Sequence, residues 1–383
     1  MSSTTTEDIA GRVTRALGDA PFDALLTVSP EGSKYLSGSP LPFALYYPKR
    51  PTVVLWPAVG DPALICGADQ MAGPRATSWI TDLRPYREGD RATADVLAEV
   101  LAGALDDRGL AAARIGYEEL LMPVSVHRAI SAAVPDVELV PADRFLDRVR
   151  ATKTPDELVR LRAAARAAEL GVRAAFGDVR AGWTEREVAA RIVSRVVDHG
   201  AETVPMILVG VGDGARMFGE PTDRVLEAGQ LVRVDLNAVV SGYYSDIGRM
   251  AVVGAPSPEQ ESAYAAHVAI NRTVMAAMRP GVACSEIFAI EQSEAARLGV
   301  ELLEQPSIGF GHAIGTHAND APKLMPGDDT LLEAGMVFNI EPDVIGPEGE
   351  RIHLEEMVLV TDSGGMLLTG EGDWSTLPRI AHV

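Results

Sequence analysis

Two largely apolar strands flank Ser241-Gly242, and each carries an aspartate. Leu231–Val240 and Tyr243–Val253 on either side of that dipeptide read as a β-hairpin. Asp235 sits in the run Leu231-Val232-Arg233-Val234-Asp235-Leu236, and Asp246 sits in the returning strand. With the turn at Ser241-Gly242, the two carboxylates lie opposite or nearly opposite each other. Like charges across a hairpin repel, and burying them unpaired costs more. A bound cation resolves the conflict. The alternative is that one aspartate faces solvent.

Three further residues favour the cation. His312 lies in Gly309-Phe310-Gly311-His312-Ala313-Ile314-Gly315, where glycines allow close backbone approach. Glu341 ends the apolar run Val337-Phe338-Asn339-Ile340 and precedes Pro342. Glu355 opens Glu355-Glu356-Met357-Val358-Leu359-Val360, where the period of two sends one of the paired glutamates inward. Four carboxylates and one imidazole form a hard, oxygen-rich ligand set. It suits two divalent ions, manganese first, with iron, cobalt or zinc as alternatives. Ions about 3.5–4 Å apart can share bridging carboxylates and activate a water.

The rest of the chain supports a two-domain reading. Residues 1–150 alternate short apolar runs (Ala24–Val28, Thr52–Trp56, Ala63–Cys66) with helical stretches such as Arg91–Asp107, and Gly116 and Pro135 punctuate the next helix. This is an α/β pattern. Residues 151–383 open with Thr154-Pro155-Asp156-Glu157, an N-cap, a first-turn proline and a capping-box glutamate. A second helix starts at Thr184, with Glu187 three residues on. Ala263–Met278 and Ser285–Leu298 read as helices, Met336–Ile340 and Met357–Thr361 as strands.

Composition narrows the function classes. Thirty-four basic residues against 54 acidic ones leave a net charge of −20, which argues against nucleic acid and anionic membranes as partners. Cys66 and Cys284 are the only cysteines, so no disulfide framework or thiolate metal site can be built. A reducing, cytoplasmic setting fits them, and the first 18 residues carry no signal-peptide pattern.

Taken in order, Val234-Asp235-Leu236, Gly242-Tyr243-Tyr244-Ser245-Asp246-Ile247-Gly248-Arg249, Gly311-His312-Ala313-Ile314-Gly315, Asn339-Ile340-Glu341-Pro342 and Leu354-Glu355-Glu356-Met357-Val358-Leu359-Val360-Thr361 resemble the creatinase/prolidase/aminopeptidase P family. Arg150-Ala151-Thr152-Lys153-Thr154-Pro155-Asp156-Glu157-Leu158 and Tyr35-Leu36-Ser37-Gly38 extend the resemblance over nearly the whole chain. It implies a creatinase-type α/β N-terminal domain (1–150) and an α+β pita-bread catalytic domain (151–383). It implies Asp235, Asp246, His312, Glu341 and Glu355 as metal ligands. Asp235 would serve one ion, His312 and Glu341 the other, and Asp246 and Glu355 would bridge. Glu341 would accept a proton from the bridging water. It also implies a homodimer.

Three departures touch the substrate side. Phe218 and Asn319 stand where family peptidases place histidines, and His353 stands where an arginine is usual. Phenylalanine cannot donate a hydrogen bond, and asparagine cannot become a cation. His317 and His353 are the candidates to take over the lost catalytic roles. The expected activity is metal-dependent cleavage of an amide bond, in a Xaa-Pro peptide or another small substrate. The alternatives are a divergent member acting on a non-peptide molecule, as creatinase, ectoine hydrolase or dimethylsulfoniopropionate lyase do, and a non-catalytic binding protein.

Overall fold

The computed structural model describes residues 3–40, 47, 49–212, 215, 219–303, 309–370 and 373–382. The chain divides into two compact units, Met1–Val149 and Arg150–Val383.

In the first unit, β1 (Ala24–Thr27), β2 (Val53–Pro57), β3 (Ala63–Gly67), β4 (Asp82–Tyr86), β5 (Arg114–Tyr117) and β6 (Glu138–Pro141) form one sheet in the order β4-β3-β2-β1-β5-β6. Its centre is antiparallel and its flanks are parallel. The strands β1 to β3 are buried at every position, because both faces are covered. Leu25, Val54, Trp56 and Leu64 pack on one side with Val13 and Leu17. Leu26, Leu55 and Ile65 pack on the other with Leu97 and Leu101. Gly116 departs from the sequence expectation: it lies inside β5, while the following helix is Val124–Ala133. A side chain there would drive into the Phe22 ring at 2.8 Å and Ala142 at 2.9 Å, so the glycine serves close packing rather than a helix boundary.

The strands of the second unit are β7 (Thr203–Val211), β8 (Leu231–Val240), β9 (Tyr243–Val253), β10 (Gly311–Ala313), β11 (Asp320–Lys323), β12 (Val337–Ile340), β13 (Asp343–Ile345), β14 (Arg351–His353), β15 (Glu356–Thr361), β16 (Gly364–Leu367) and β17 (Arg379–Ile380). They build sheets ordered β17-β9-β8-β7, β11-β10-β12-β15-β16 and β13-β14. Helices Pro155–Asp178 and Glu185–Asp198 cover the first sheet through Val172, Val188, Ile192, Val232, Val234 and Leu236. Helices Pro258–Ala277 and Cys284–Leu298 pack with Phe310, Phe338, Ile340 and Val358 of the second. The two halves repeat one plan of paired helices on a sheet.

Local chemistry explains the starts of these elements. Thr154 and Thr184 accept hydrogen bonds from the backbone N–H groups of Glu157 and Glu187, whose carboxylates reach back to close both capping boxes. Ser257 does the same with Gln260 ahead of Pro258. Ser241 (φ 50°) and Gly242 (φ 76°) are both left-handed, the geometry of a two-residue hairpin turn whose twist matches its strands.

The two helices of the first half cross in close contact at Gly171, where an added Cβ would lie 2.5 Å from the Val196 Cα. Gly171→Ala should therefore force the helices apart. A loss of about 1–3 kcal/mol is expected from such overpacking, read as a lower urea midpoint at an unchanged slope.

Candidate metal centre

The alternation of β8 sorts its residues by chemistry. Val232, Val234 and Leu236 enter the core beneath the first helix pair, so Arg233, Asp235 and Asn237 share the opposite face. The hairpin register sets Asp235 against Gly248 and Asn237 against Asp246. The two aspartates are thus diagonal neighbours on one face, separated by one residue pair. Asn237 steadies the second by donating from Nδ2 to Asp246 Oδ1 at 2.7 Å.

The second sheet brings the other residues to the same place. His312 lies in β10, with Asn339 of β12 directly across from it. Glu341 follows β12, and its N–H donates to the Phe310 carbonyl at 2.7 Å. Glu355 precedes β15, and its N–H donates to the Gly248 carbonyl at 3.1 Å. The first and second sheets meet here only because residue 248 is glycine. A Cβ at that position would sit 2.7 Å from Glu355 Cγ and 2.8 Å from His353 Cδ2.

The resulting contacts form one chain. Asp235 Oδ2 lies 3.9 Å from His353 Nε2, which lies 2.6 Å from Glu355 Oε1. Glu355 and Asp246 share a side-chain hydrogen bond. Asp246 Oδ2 lies 3.5 Å from His312 Nε2, which lies 3.3 Å from Glu341 Oε1. All five candidate ligands are therefore assembled, with His353 among them. Of these six side chains Glu341 is the most exposed, at 25%, and so the one most open to solvent and substrate. The substrate-side candidates fare differently. Asn319 is exposed, His317 is half-buried, and Phe218 lies outside the described residues.

Sequence reasoning missed the residues behind His353. Asp343 Oδ1 lies 2.9 Å from His353 Nδ1, and Arg351 pairs with both oxygens of the same carboxylate. Their signal was weak: an acid two positions past Glu341 and a base two positions before His353, on strands of three residues each.

Comparison with known proteins gives this architecture a lineage. The pattern of metallopeptidase family M24 matches residues 159–362, and that of the creatinase/prolidase N-terminal domain matches residues 11–152. The chain belongs to metallopeptidase family M24. This M24 chain is 30% identical to a Xaa-Pro dipeptidase of Pyrococcus furiosus over 240 residues, which is 61% of this chain and 67% of that one. The solved dipeptidase PepE of Mycobacterium ulcerans superposes with a TM-score of 0.83 at 27% identity, covering 100% of this chain and 99% of that one. The X-Pro aminopeptidase of Thermotoga maritima superposes with a TM-score of 0.82 at 22% identity, covering 97% and 99%. The expected architecture, an α/β N-terminal domain joined to a pita-bread domain, is the one found. Membership makes the chain a metal-dependent hydrolase of amide bonds.

The residues of this M24 chain fit a metal. Asp235 Oδ1 and Glu355 Oε2 are buried without a hydrogen-bond partner among the described residues, as are both amide atoms of Asn339. Buried carboxylate oxygens without donors call for a cation. Without one, the electrostatics are conflicted. Burial, then Glu355, pushes Asp235 up to about 8. Burial, then Glu355 and Asp235, holds Asp246 well above the usual carboxylate range. Burial alone would lower the pKa of His353, but the Asp343 and Glu355 carboxylates on either side outweigh it and hold the imidazole well above its ordinary value.

These shifts fix the pH response of the metal-free protein. Asp235 and His353 both hold protons in the folded state that the unfolded chain releases. Their stabilisation is complete below the unfolded pKa values of 3.8 and 6.5 and is lost as pH rises through the raised folded values, about 8 for Asp235. The melting temperature of the metal-free protein should fall between about pH 6.5 and 8. A divalent ion added at pH 8 should restore it. A flat profile, unmoved by metal, would contradict this account of the cluster.

Proposed function

We propose that this M24 chain is a dinuclear amide hydrolase of short substrates, with Asp235, Asp246, His312, Glu341 and Glu355 as its ligands and manganese as its preferred ion. The observation that carries the proposal is the unbroken chain of contacts from Asp235 to Glu341, with orphaned carboxylate oxygens at Asp235 and Glu355.

A pair of divalent ions would supply Lewis acidity toward an amide carbonyl and would acidify a water. The chain's own residues do the rest. Glu341 accepts the proton of the attacking water at its open carboxylate and returns it to the departing amine. His312 donates from Nδ1 to the Ala313 carbonyl at 3.1 Å, which leaves Nε2 as the lone-pair nitrogen facing Asp246 and Glu341. Arg249 donates to the Gly248 and Glu355 carbonyls at 2.9 and 2.5 Å, fixing the two strands that carry the acids.

The substrate class follows from the relatives and from the departures. Relatives bearing the name Xaa-Pro dipeptidase support a dipeptide or short peptide with proline after the scissile bond. Phe218 and Asn319 stand in the sequence where family peptidases place two histidine donors, and His317, whose Nδ1 is buried without a described partner, is placed in sequence to replace one. The same loss of donors favours the second reading, a small non-peptide amide. In either case we propose a cytoplasmic homodimer. Among the described residues no helix is long and apolar enough to cross a membrane.

Asp235→Ala and His312→Ala should lose bound metal and activity while keeping the fold, read by metal analysis and circular dichroism. Full activity after exhaustive chelation would overturn the proposal. Loss of one oxyanion-type donor costs about 10²–10³ in rate. Gly-Pro turnover by the manganese-loaded wild type should therefore run far below that of an ordinary prolidase assayed alongside, and Phe218→His or Asn319→His should raise it. Wild-type turnover equal to the prolidase's would show that the altered residues leave peptide handling intact.

A further inference from the structure

We infer that His353 is a sixth metal ligand, giving the ion held by Asp235 a nitrogen donor. The inference rests on the dinuclear reading above and extends it to a residue outside the five ligands.

The geometry of the imidazole carries the argument. Its two nitrogens face different partners. Nδ1 lies 2.9 Å from Asp343 Oδ1. Asp343 is itself gripped by Arg351, so its carboxylate stays charged and can only accept. Nδ1 must therefore be the N–H, and Nε2 is left to point between Glu355 Oε1 at 2.6 Å and Asp235 Oδ2 at 3.9 Å. Donors around one small cation, each about 2.0–2.2 Å from it, stand about 3–4 Å from one another. Asp235, His353 and Glu355 each offer an atom within 4.8 Å of the other two, close enough for one cation to draw them to that spacing. A buried carboxylate behind a histidine whose other nitrogen faces a ligand cluster is the arrangement that orients metal-bound imidazoles and raises their basicity.

Two further observations point the same way. Asp235 Oδ1 and Glu355 Oε2, the second oxygens of the two carboxylates that flank Nε2, are buried without hydrogen-bond partners among the described residues. Gly248 provides the space: a Cβ there would meet His353 Cδ2 at 2.8 Å. The competing role is positional, an imidazolium that merely bridges Asp343 and Glu355. Arginine could fill that role equally well, since it supplies charge and donors. It has no lone pair for a metal.

The test uses the full-length protein loaded with cobalt(II). Proton NMR then shows strongly shifted, solvent-exchangeable N–H signals from imidazoles bound directly to the ion. Wild type should show two, from His312 and His353, since each has its Nδ1–H held by an acceptor. His353→Gln should keep only the His312 signal, which doubles as proof that the rest of the site is intact. Competition with a chromophoric chelator should show one of the two ions bound at least about 10-fold more weakly in that variant, and Asp343→Asn should weaken it by about 10–100-fold. His353→Arg should behave like His353→Gln. A single signal in the wild type overturns the inference, as does wild-type affinity in His353→Arg. Should the variants fail to fold, the wild-type count decides alone. If the wild type takes up no cobalt, the dinuclear reading falls with it; two bound ions with one imidazole signal would remove His353 only.

Discussion

Mutual repulsion among buried carboxylates is the constraint on which the rest of this structure depends. Asp235, Asp246 and Glu355 are nearly inaccessible to water. Two like charges 4 Å apart repel by about 4 kcal/mol even at an effective dielectric of 20. A fold that gathers several on one sheet face needs cationic compensation. Part of it is built in, because Arg233 shares the face of Asp235 and Arg351 stands behind Asp343. The remaining mismatch is visible in the carboxylate oxygens that find no donor among the described residues. Bound divalent metal would remove it.

The opposite side of the same strands supplies mechanical support. Because side chains alternate, Arg249 and Glu356 point away from the site that Gly248 and Glu355 face. There Arg249 is fully buried, with its Nη2 3.1 Å from Glu356 Oε2 and 3.5 Å from Glu169 Oε1, and its guanidinium 4.9 Å from the centre of the Trp374 ring. Trp374 donates to Glu169 at 2.6 Å. Breaking one partner of such a buried pair typically costs about 3–5 kcal/mol. This cluster ties a helix of the first half to β15 of the second, the strand that Glu355 immediately precedes. The sheet's two faces thus divide the work: one gathers the acids, and the other locks the strands that present them.

Much of this was legible in the sequence because local rules and the tertiary fold agree. The hairpin turn at Ser241-Gly242 and the boxes at Thr154 and Thr184 follow from short-range stereochemistry, whereas the period of two leaves Glu355 and Glu356 open and the family resemblance points to Glu355. Other features escaped for physical reasons. β7 contains Pro205, which reads as a strand breaker but is tolerated because the strand is at the sheet edge, where its register shifts. β13 and β14 are too short to show a period, so the Asp343–Arg351–His353 relay was invisible. Gly116 and Gly248 look like punctuation in one dimension. Their reason for being glycine is a neighbour distant in sequence, which only the folded chain reveals.

The placement of the candidate site residues also explains how a family member could keep its chemistry while changing its substrate. Asp235, Asp246 and His312 lie within strands, and Glu341 and Glu355 lie immediately beside strand ends. Their spacing is set by sheet registers that cannot slip by one residue without reversing every side chain. Asn319, by contrast, is exposed just ahead of the short edge strand β11, and His317 lies in the preceding turn. Changes there disturb few packed neighbours and no central ladder, so they accumulate at little cost to stability. His353 belongs to the first class. It is buried on a strand, backed by a fixed carboxylate and fitted against a glycine. A change of residue type at so constrained a position requires its neighbours to change with it. That distinguishes it from the variation at Asn319 and ties His353 to the metal chemistry rather than to the choice of substrate.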